Sequence, residues 1–239
     1  MFKQYPKQLV LVRHGESILN VARANSPILF ANQADRAPFM GVPDHKVELT
    51  ALGREQARAT GLGLRLAGFR FDHFYDSGYA RTVETLDHIL EQLLEKDLPA
   101  PKRIHSFLIR ERESGYTYCM TRPEVEKTFP WLEEYWKTLG PVFARPIGGE
   151  SIADVIERVR VFLEQVFTET NGERVLIVLH GRVLAAMRYL LENWTYDQLE
   201  EFMQSKGCVN CGVTVYNRNT ETATLELAQY NTAYYRKEV

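Results

Sequence analysis

The chain has 239 residues, with 29 Lys+Arg against 31 Asp+Glu and a formal net charge of −2. Hydrophobic residues make up 45% and charged residues 25%, the balance of a globular protein with a sizeable core, which excludes disordered and fibrous classes. The even charge, free of long like-charge runs, argues against a nucleic-acid groove or a polybasic membrane patch and leaves a small charged molecule as the expected partner.

No apolar stretch approaches the roughly 20 residues that a bilayer crossing requires. The apolar run Leu9–Val12 is too short for the core of a secretion signal. Cys119, Cys208 and Cys211 are too few for a disulfide framework, so the expected address is the cytoplasm. Cys208-Val209-Asn210-Cys211 lacks the second Cys/His pair of a zinc site and precedes an apparent strand, so it is read as structural.

In chain order, Gln8–Val12 reads as a strand buried on both faces that stops at Arg13-His14-Gly15. Residues 21–46 carry Asn25, Pro27, Asn32, Asp35, Pro38, Gly41 and Pro43, which break any long element and predict a long, lid-like loop. A helix is expected over 50–66, a strand over 71–76, a helix over 80–94 and a strand over 103–108. Residues 121–146, with four prolines and the Trp131/Tyr135/Trp136 cluster, predict a second excursion built from short helices. Ser151 and Asp154 cap a helix whose face is Ile152, Val155, Ile156, Val159, Leu163 and Val166. A second buried strand, 174–179, again ends in histidine and glycine, His180-Gly181, before a helix over 182–191. Thr195 and Gln198 box a short helix to about Met203, and 212–216 and 224–228 are the last strands. This alternation predicts one α/β domain over 1–239, a three-layer sandwich with a largely parallel central sheet and insertions at about 21–46 and 121–146.

Ligands of open α/β sheets sit at the carboxyl ends of strands, where His14 and His180 are both expected. Arg13 adds a permanent cation beside the first. Arg81 falls in the first turn of a helix directly after a strand, an end that already attracts anions, so an arginine there calls for an anionic partner. Two histidines, two arginines and a helix N-terminus describe a phosphate pocket.

The string Leu11-Val12-Arg13-His14-Gly15-Glu16-Ser17 stands with Asn20, Leu49-Thr50-x-x-Gly53, Ser77-x-x-x-Arg81-Thr82, Glu111, Gly148-Gly149-Glu150-Ser151 and His180-Gly181. Together these resemble the histidine phosphatase superfamily, which includes the cofactor-dependent phosphoglycerate mutases, over about residues 8–216. The resemblance implies a metal-independent phosphohistidine mechanism with no cofactor and a small phosphorylated substrate. His14 would be the nucleophile, Arg13, Arg81 and His180 would hold the phosphoryl oxygens, and Glu111 would be the proton donor. Glu113 is the alternative acid, but Gly115 stands four residues after Glu111, as the family pattern requires. Asn20 and Ser17 would touch the phosphate or serve as turn-former and cap. Glu16 would orient an arginine, and Glu150 would anchor the catalytic loop or merely start a helix.

Mutases carry a tryptophan before the asparagine, where this chain has Leu19. That departure, with the 42–50 and 194–200 stretches, looks like broad-range phosphatases rather than glycolytic mutases. A phosphatase is therefore expected, with a phosphomutase or a non-catalytic phospho-ligand binding module as alternatives. His45 and Lys46 are candidates for touching a second anionic group. The aromatic-rich 129–136 and 230–235 segments either pack on a second subunit, as in a homodimer, or close the core.

Overall fold

Strand β1 (Gln8–Arg13) reads as continuously apolar because it is covered on both sides: Leu9 and Leu11 join one hydrophobic cluster, Val10 and Val12 the other, and all four are fully buried. The computed structural model describes residues 5–24, 29–94, 102–170, 172–205 and 207–236; Asn25 and Pro27 of the first excursion lie outside them. The other strands are β2 (His73–Asp76), β3 (Arg103–His105), β4 (Arg174–Leu179), β5 (Val213–Arg218) and β6 (Leu225–Thr232). They form one sheet in the order β3-β2-β4-β1-β5-β6. β1, β2, β3 and β4 pair in parallel, and only β5 runs against its neighbours.

The chain has the expected α/β architecture, with helices on both faces. Helices α1 (Ile18–Ala22) and α2 (Gln33–Arg36) belong to the first excursion. α3 (Ala51–Leu66) and α4 (Ala80–Leu93) cover one face through Leu64, Leu86 and Ile89. α5 (Arg122–Thr128) and α6 (Leu132–Phe143) form the second excursion. α7 (Ile152–Glu169) and α8 (Gly181–Leu191) cover the other face, burying Val155, Val159, Phe162, Leu163, Leu184 and Met187, and α9 (Tyr196–Gln204) follows. The Ser151/Asp154 and Thr195/Gln198 capping boxes are both formed, so each helix starts where its side chains satisfy its free amides. Among the described residues no helix is long and apolar enough to cross a membrane.

Two strands are shorter than the sequence suggests. β2 begins at His73, because Phe69 and Phe71 pack beside the α3/α4 cluster instead of joining the ladder. The segment expected as a strand over 103–108 leaves the ladder after His105 and turns through a 3-10 segment, Phe107–Ile109, which seats Ile109 in the core under α7.

The two excursions are joined to each other. Phe30 N–H donates to Met120 O (3.1 Å) and Arg122 N–H to Phe30 O (3.2 Å). Arg36 pairs with Glu124 (2.6 Å). Phe30 and Phe39 pack with Leu19 and Val47, while Leu29, Val125 and Leu132 gather Tyr135 and Trp136. Trp131 stays exposed. α6 breaks at Gly140, whose φ of 70° precedes Pro141. Tyr234 packs on the α3/α4 cluster and Tyr230 lies over the Arg188 guanidinium (3.9 Å), so much of the aromatic surface is spent on the chain's own core.

The loop after β1 lies flat against the start of α3, and glycine makes this contact feasible. A Cβ on Gly53 would lie 2.1 Å from Glu16 O, and one on Gly15 would lie 2.5 Å from Gly53 O. Backbone, not a flexible side-chain end, blocks both. Gly53→Ala is therefore expected to lower unfolding stability by about 1–3 kcal/mol in urea titrations. Leu52→Ala, at an exposed site next door, should stay within about 0.5 kcal/mol.

Candidate active site

β1 and β4 pair in register, Arg13 opposite Leu179, so the two histidines emerge side by side from adjacent strand ends. His14 N–H donates to Leu179 O (2.9 Å), and the rings of His14 and His180 lie 5.2 Å apart at 61°. His14 Nδ1 is 2.7 Å from Gly15 O. A carbonyl oxygen only accepts, so Nδ1 carries the proton and Nε2 keeps its lone pair. Burial, then Arg81, then Arg13 hold the His14 pKa well below 6.5, which keeps the ring neutral.

His180 is fully buried, and its Nε2 sits 2.8 Å from Ser77 Oγ. Among the described residues its Nδ1 has no hydrogen-bond partner; Glu111 Oε2 stands 4.0 Å away. Ser77 Oγ also contacts Thr82 Oγ1 (2.8 Å) and accepts from Tyr79 N–H (3.3 Å). The Ser77 hydroxyl can donate to the ring or accept from it, and that choice sets which nitrogen of His180 bears the proton. Burial comes first in holding His180 well below 6.5, followed by Arg81 and His14.

Arg13 donates through Nη1 to Cys208 O, and its Nε is buried without a partner. Arg81, only 3% exposed, donates from Nη1 and Nη2 to the carboxylate of Asp44 (3.0 and 3.1 Å). Thr85 ties helix to loop, donating to Arg81 O (2.6 Å) while accepting from Gly15 N–H (2.9 Å).

Glu111 lines the same cavity, whereas Glu113 is exposed and its carboxylate accepts from Gly115 N–H (3.2 Å). Glu150 anchors this loop: it accepts from Arg158 Nε (2.9 Å), from Arg110 and from Glu113 N–H (3.0 Å). Arg158 in turn donates to the carbonyls of Leu108 and Glu111. Gly115, at φ 55°, passes so close to the 147–149 backbone that a Cβ would lie 2.1 Å from Ile147 O.

Ser17 and Asn20 form the cap of α1 and line the cavity at once. Ser17 N–H and Oγ–H both donate to Asn20 Oδ1 (3.1 and 3.0 Å), as does Asn210 Nδ2 (3.2 Å). The Ser17 proton is thereby used, while the Asn20 amide nitrogen stays available as a donor. Glu16 does not orient an arginine. Its carboxylate accepts the Thr50 hydroxyl (2.9 Å) at the start of α3, because the loop is pressed against that helix. His45 and Lys46 are exposed and do not line the cavity.

Among the described residues the cavity, about 730 Å³, is walled by Arg13, Arg23, Arg81, Arg112 and Arg182 and by two acids, Asp44 and Glu111. Arg23 lies over the rings of Phe30 (4.7 Å) and Tyr118 (5.5 Å) and donates to Tyr118 O. Burial, then the like charge of Arg182, pulls the Arg112 pKa down to about 10. Sequence reasoning passed over Arg23, Asp44, Arg112, Tyr118, Arg182 and Asn210. Arg112 directly follows Glu111 and Arg182 directly follows His180-Gly181, which was the available signal. Cys208 and Cys211 are free thiols, and burial raises Cys211 to about 12, so they brace the end of β1 rather than react. Among the described residues, no three of His, Cys, Asp and Glu converge as metal ligands.

The model of the histidine phosphatase superfamily (branch 1) matches residues 9–231. The chain belongs to this superfamily. A 2,3-bisphosphoglycerate-dependent phosphoglycerate mutase of Brucella anthropi is 32% identical over 224 residues, 92% of this chain and 95% of the mutase. A phosphoglycerate mutase-like protein of Arabidopsis thaliana is 29% identical over 87% of this chain and 73% of its own length. Among solved structures, a putative alpha-ribazole-5'-P phosphatase of Escherichia coli superposes with a TM-score of 0.71 at 19% identity, covering 98% of this chain and 100% of that one. A mycobacterial glucosyl-3-phosphoglycerate phosphatase, solved with inorganic phosphate, gives 0.67 at 21%, covering 95% and 98%. Membership makes this histidine phosphatase superfamily member a phosphoryl-transfer enzyme, and the structural likenesses carry the fold.

Two histidines held neutral have a thermodynamic consequence. The unfolded chain protonates them near 6.5 and the folded chain only well below, so between those values the unfolded state binds more protons and stability falls with falling pH. Each histidine contributes a slope of up to about 1.4 kcal/mol per pH unit in that window. Urea midpoints in phosphate-free buffer at pH 7.5 and 5.5 should show this loss, and His14→Asn or His180→Asn should each reduce it.

Proposed function

We propose that the protein is a phosphatase that hydrolyses a phosphomonoester through phosphohistidine on His14. The observation that carries this reading is the Nδ1–Gly15 O bond, which leaves His14 Nε2 unprotonated in a neutral ring beside Arg13 and Arg81. In the first step the Nε2 lone pair forms the N–P bond as the ester P–O bond breaks, and the leaving oxygen takes the proton of Glu111. Water then attacks phosphorus and gives its proton to the Glu111 carboxylate. The P–N bond breaks, the electron pair returns to Nε2 and inorganic phosphate leaves. Arg13, Arg81 and Asn20 donate to the phosphoryl oxygens, where charge grows in the transition state, and His180 Nδ1 joins them in the tautomer in which the Ser77 hydroxyl donates to Nε2.

Leu19, buried against Phe30 and Phe39, supports hydrolysis over mutase action, because the mutase tryptophan is absent there. The mutase reading draws on the 32% identity to the Brucella anthropi enzyme. A mutase needs a bisphosphate primer and hands the phosphoryl group to a second substrate, whereas a phosphatase releases inorganic phosphate unprimed. The free thiols fit a cytoplasmic address.

The charge balance points to the substrate class. Five arginines face two acids, one of them held by Arg81, so the cavity keeps a net positive charge toward a phosphomonoester dianion. Arg112 and Arg182, beyond Glu111, favour a leaving group that carries a second negative charge.

Phosphate release from an aryl phosphate in EDTA tests the mechanism. His14→Ala should lose at least about 10⁴-fold, with loss of acid-labile phosphoenzyme. Glu111→Gln should lose about 10²–10⁴-fold, more on poor leaving groups, and Glu113→Gln should stay close to wild type. Greater loss in Glu113→Gln would overturn the assignment. Arg182→Gln should raise KM about tenfold more for a carboxylated phosphomonoester than for a neutral one in the same assay.

A further inference from the structure

Arg81 offers five N–H groups in a rigid plane. Asp44 takes three of them: Nη1 donates to Oδ1 (3.0 Å) and to the Asp44 carbonyl (2.8 Å), and Nη2 donates to Oδ2 (3.1 Å). The carboxylate therefore holds the guanidinium end-on, across its two terminal nitrogens. The two remaining hydrogens, on Nε and on Nη2, lie together along the other edge, and among the described residues neither has an acceptor. The Tyr79 ring covers one face of the plane, 4.9 Å from Cζ. One edge is clamped, one face is packed and one edge is free.

We propose that Asp44 is a positioning residue, which clamps Arg81 end-on so that its Nε/Nη2 edge is presented to the phosphoryl group. The proposal rests on the reading of Arg81 as a phosphoryl ligand. Bidentate pairing through a planar fork is the strongest way to fix a guanidinium. It also answers a local problem: Arg81 is a buried cation in the first turn of α4, the end whose dipole repels it, and Asp44 supplies the compensating charge. Asp44 opens a 3-10 turn, Asp44–Lys46, at the end of the first excursion. The excursion thereby reaches the phosphate site by an ionic contact, and its position is read out in the aim of one arginine.

Two effects oppose each other here, so the sign of the result is informative. Removing the carboxylate strips a negative charge from the cavity, which alone would strengthen anion binding. It also frees Arg81 to turn, which would weaken it. The end-on geometry assigns the larger share to aim.

Calorimetric titration of the full chain with inorganic phosphate tests this for wild type, Asp44→Asn, Asp44→Ser, Arg81→Ala and Asp44→Asn with Arg81→Ala, with thermal melts as the control on folding. Both Asp44 variants are expected to bind phosphate roughly tenfold more weakly. In the Arg81→Ala background the Asp44→Asn change should fall below about twofold, a loss of effect that a general structural role would not produce. Equal or tighter binding by the Asp44 variants overturns the proposal, as does an equal loss in both backgrounds. A wild type that binds no phosphate overturns it as well. Wild type that binds phosphate and shows the expected cycle, yet turns over no phosphomonoester, leaves the proposal standing and removes only the hydrolytic reading.

Discussion

A neutral imidazole among guanidinium groups is the condition on which this site rests. The nucleophile reading needs a lone pair on His14, and binding of a phosphoryl dianion needs cations. The two requirements are met together because burial and like charge push the histidine in the useful direction. The same surroundings would be ruinous for an enzyme that needed His14 protonated in its resting state. They also make the site a standing cost: buried arginines lose hydration that only partners or a bound anion replace, and the histidines add a loss as pH falls below about 6.5.

The protein offsets that cost with fixed partners, each of which also has a geometric use. Cys208 O takes Arg13, Asp44 takes Arg81, and Glu150 takes Arg158 and Arg110 while holding the backbone of the loop that bears Glu111. Backbone does much of the rest. His14 hangs from β4 by its amide, from Gly15 by its ring and from the Asn210 side chain by its carbonyl, so its ring is aimed by the end of the sheet and by the turn before β5 together. The parallel β1/β4 pair is what brings a second histidine to the same height. Functional precision here is inherited from sheet register.

The parts that were legible from the sequence are those whose physics is local. Alternate burial of Leu9, Val10, Leu11 and Val12 shows as an unbroken apolar run, and Ser151 with Asp154 shows as a helix start because the two bond each other. The histidine and glycine after each buried strand are likewise visible as strings. What escaped depends on contacts across the chain. Asp44 meets Arg81 over 37 positions, and Asn210 reaches His14 over 196. No spacing rule links such pairs. A carboxylate beside a phosphate site predicts an arginine partner for Glu16; the fold instead turns it to the Thr50 hydroxyl, because Gly15 and Gly53 let the loop lie on α3. The short β3 escaped for a related reason: Ile109 is drawn under α7, a demand made by a helix some forty residues later.

The division between what the sheet fixes and what the excursions fix follows from this. Strand ends, the α4 turn and the Glu150-anchored loop place His14, His180, Arg13, Arg81 and Glu111 around one cavity. Arg23, Asp44 and Tyr118 come from chain segments that pack on each other through Phe30, Phe39 and the Phe30–Thr121 bridge, with a small core of their own. Changes in that small core would move this wall of the cavity without touching the β1/β4 register. Asp44 and Asn20 cross this division: both belong to the excursion, yet Asp44 grips Arg81 and Asn20 accepts from Asn210, which also donates to the His14 carbonyl. Through that ion pair and the Asn210–Asn20 bond (3.2 Å), the excursion stays coupled to the strand ends on which the two histidines sit.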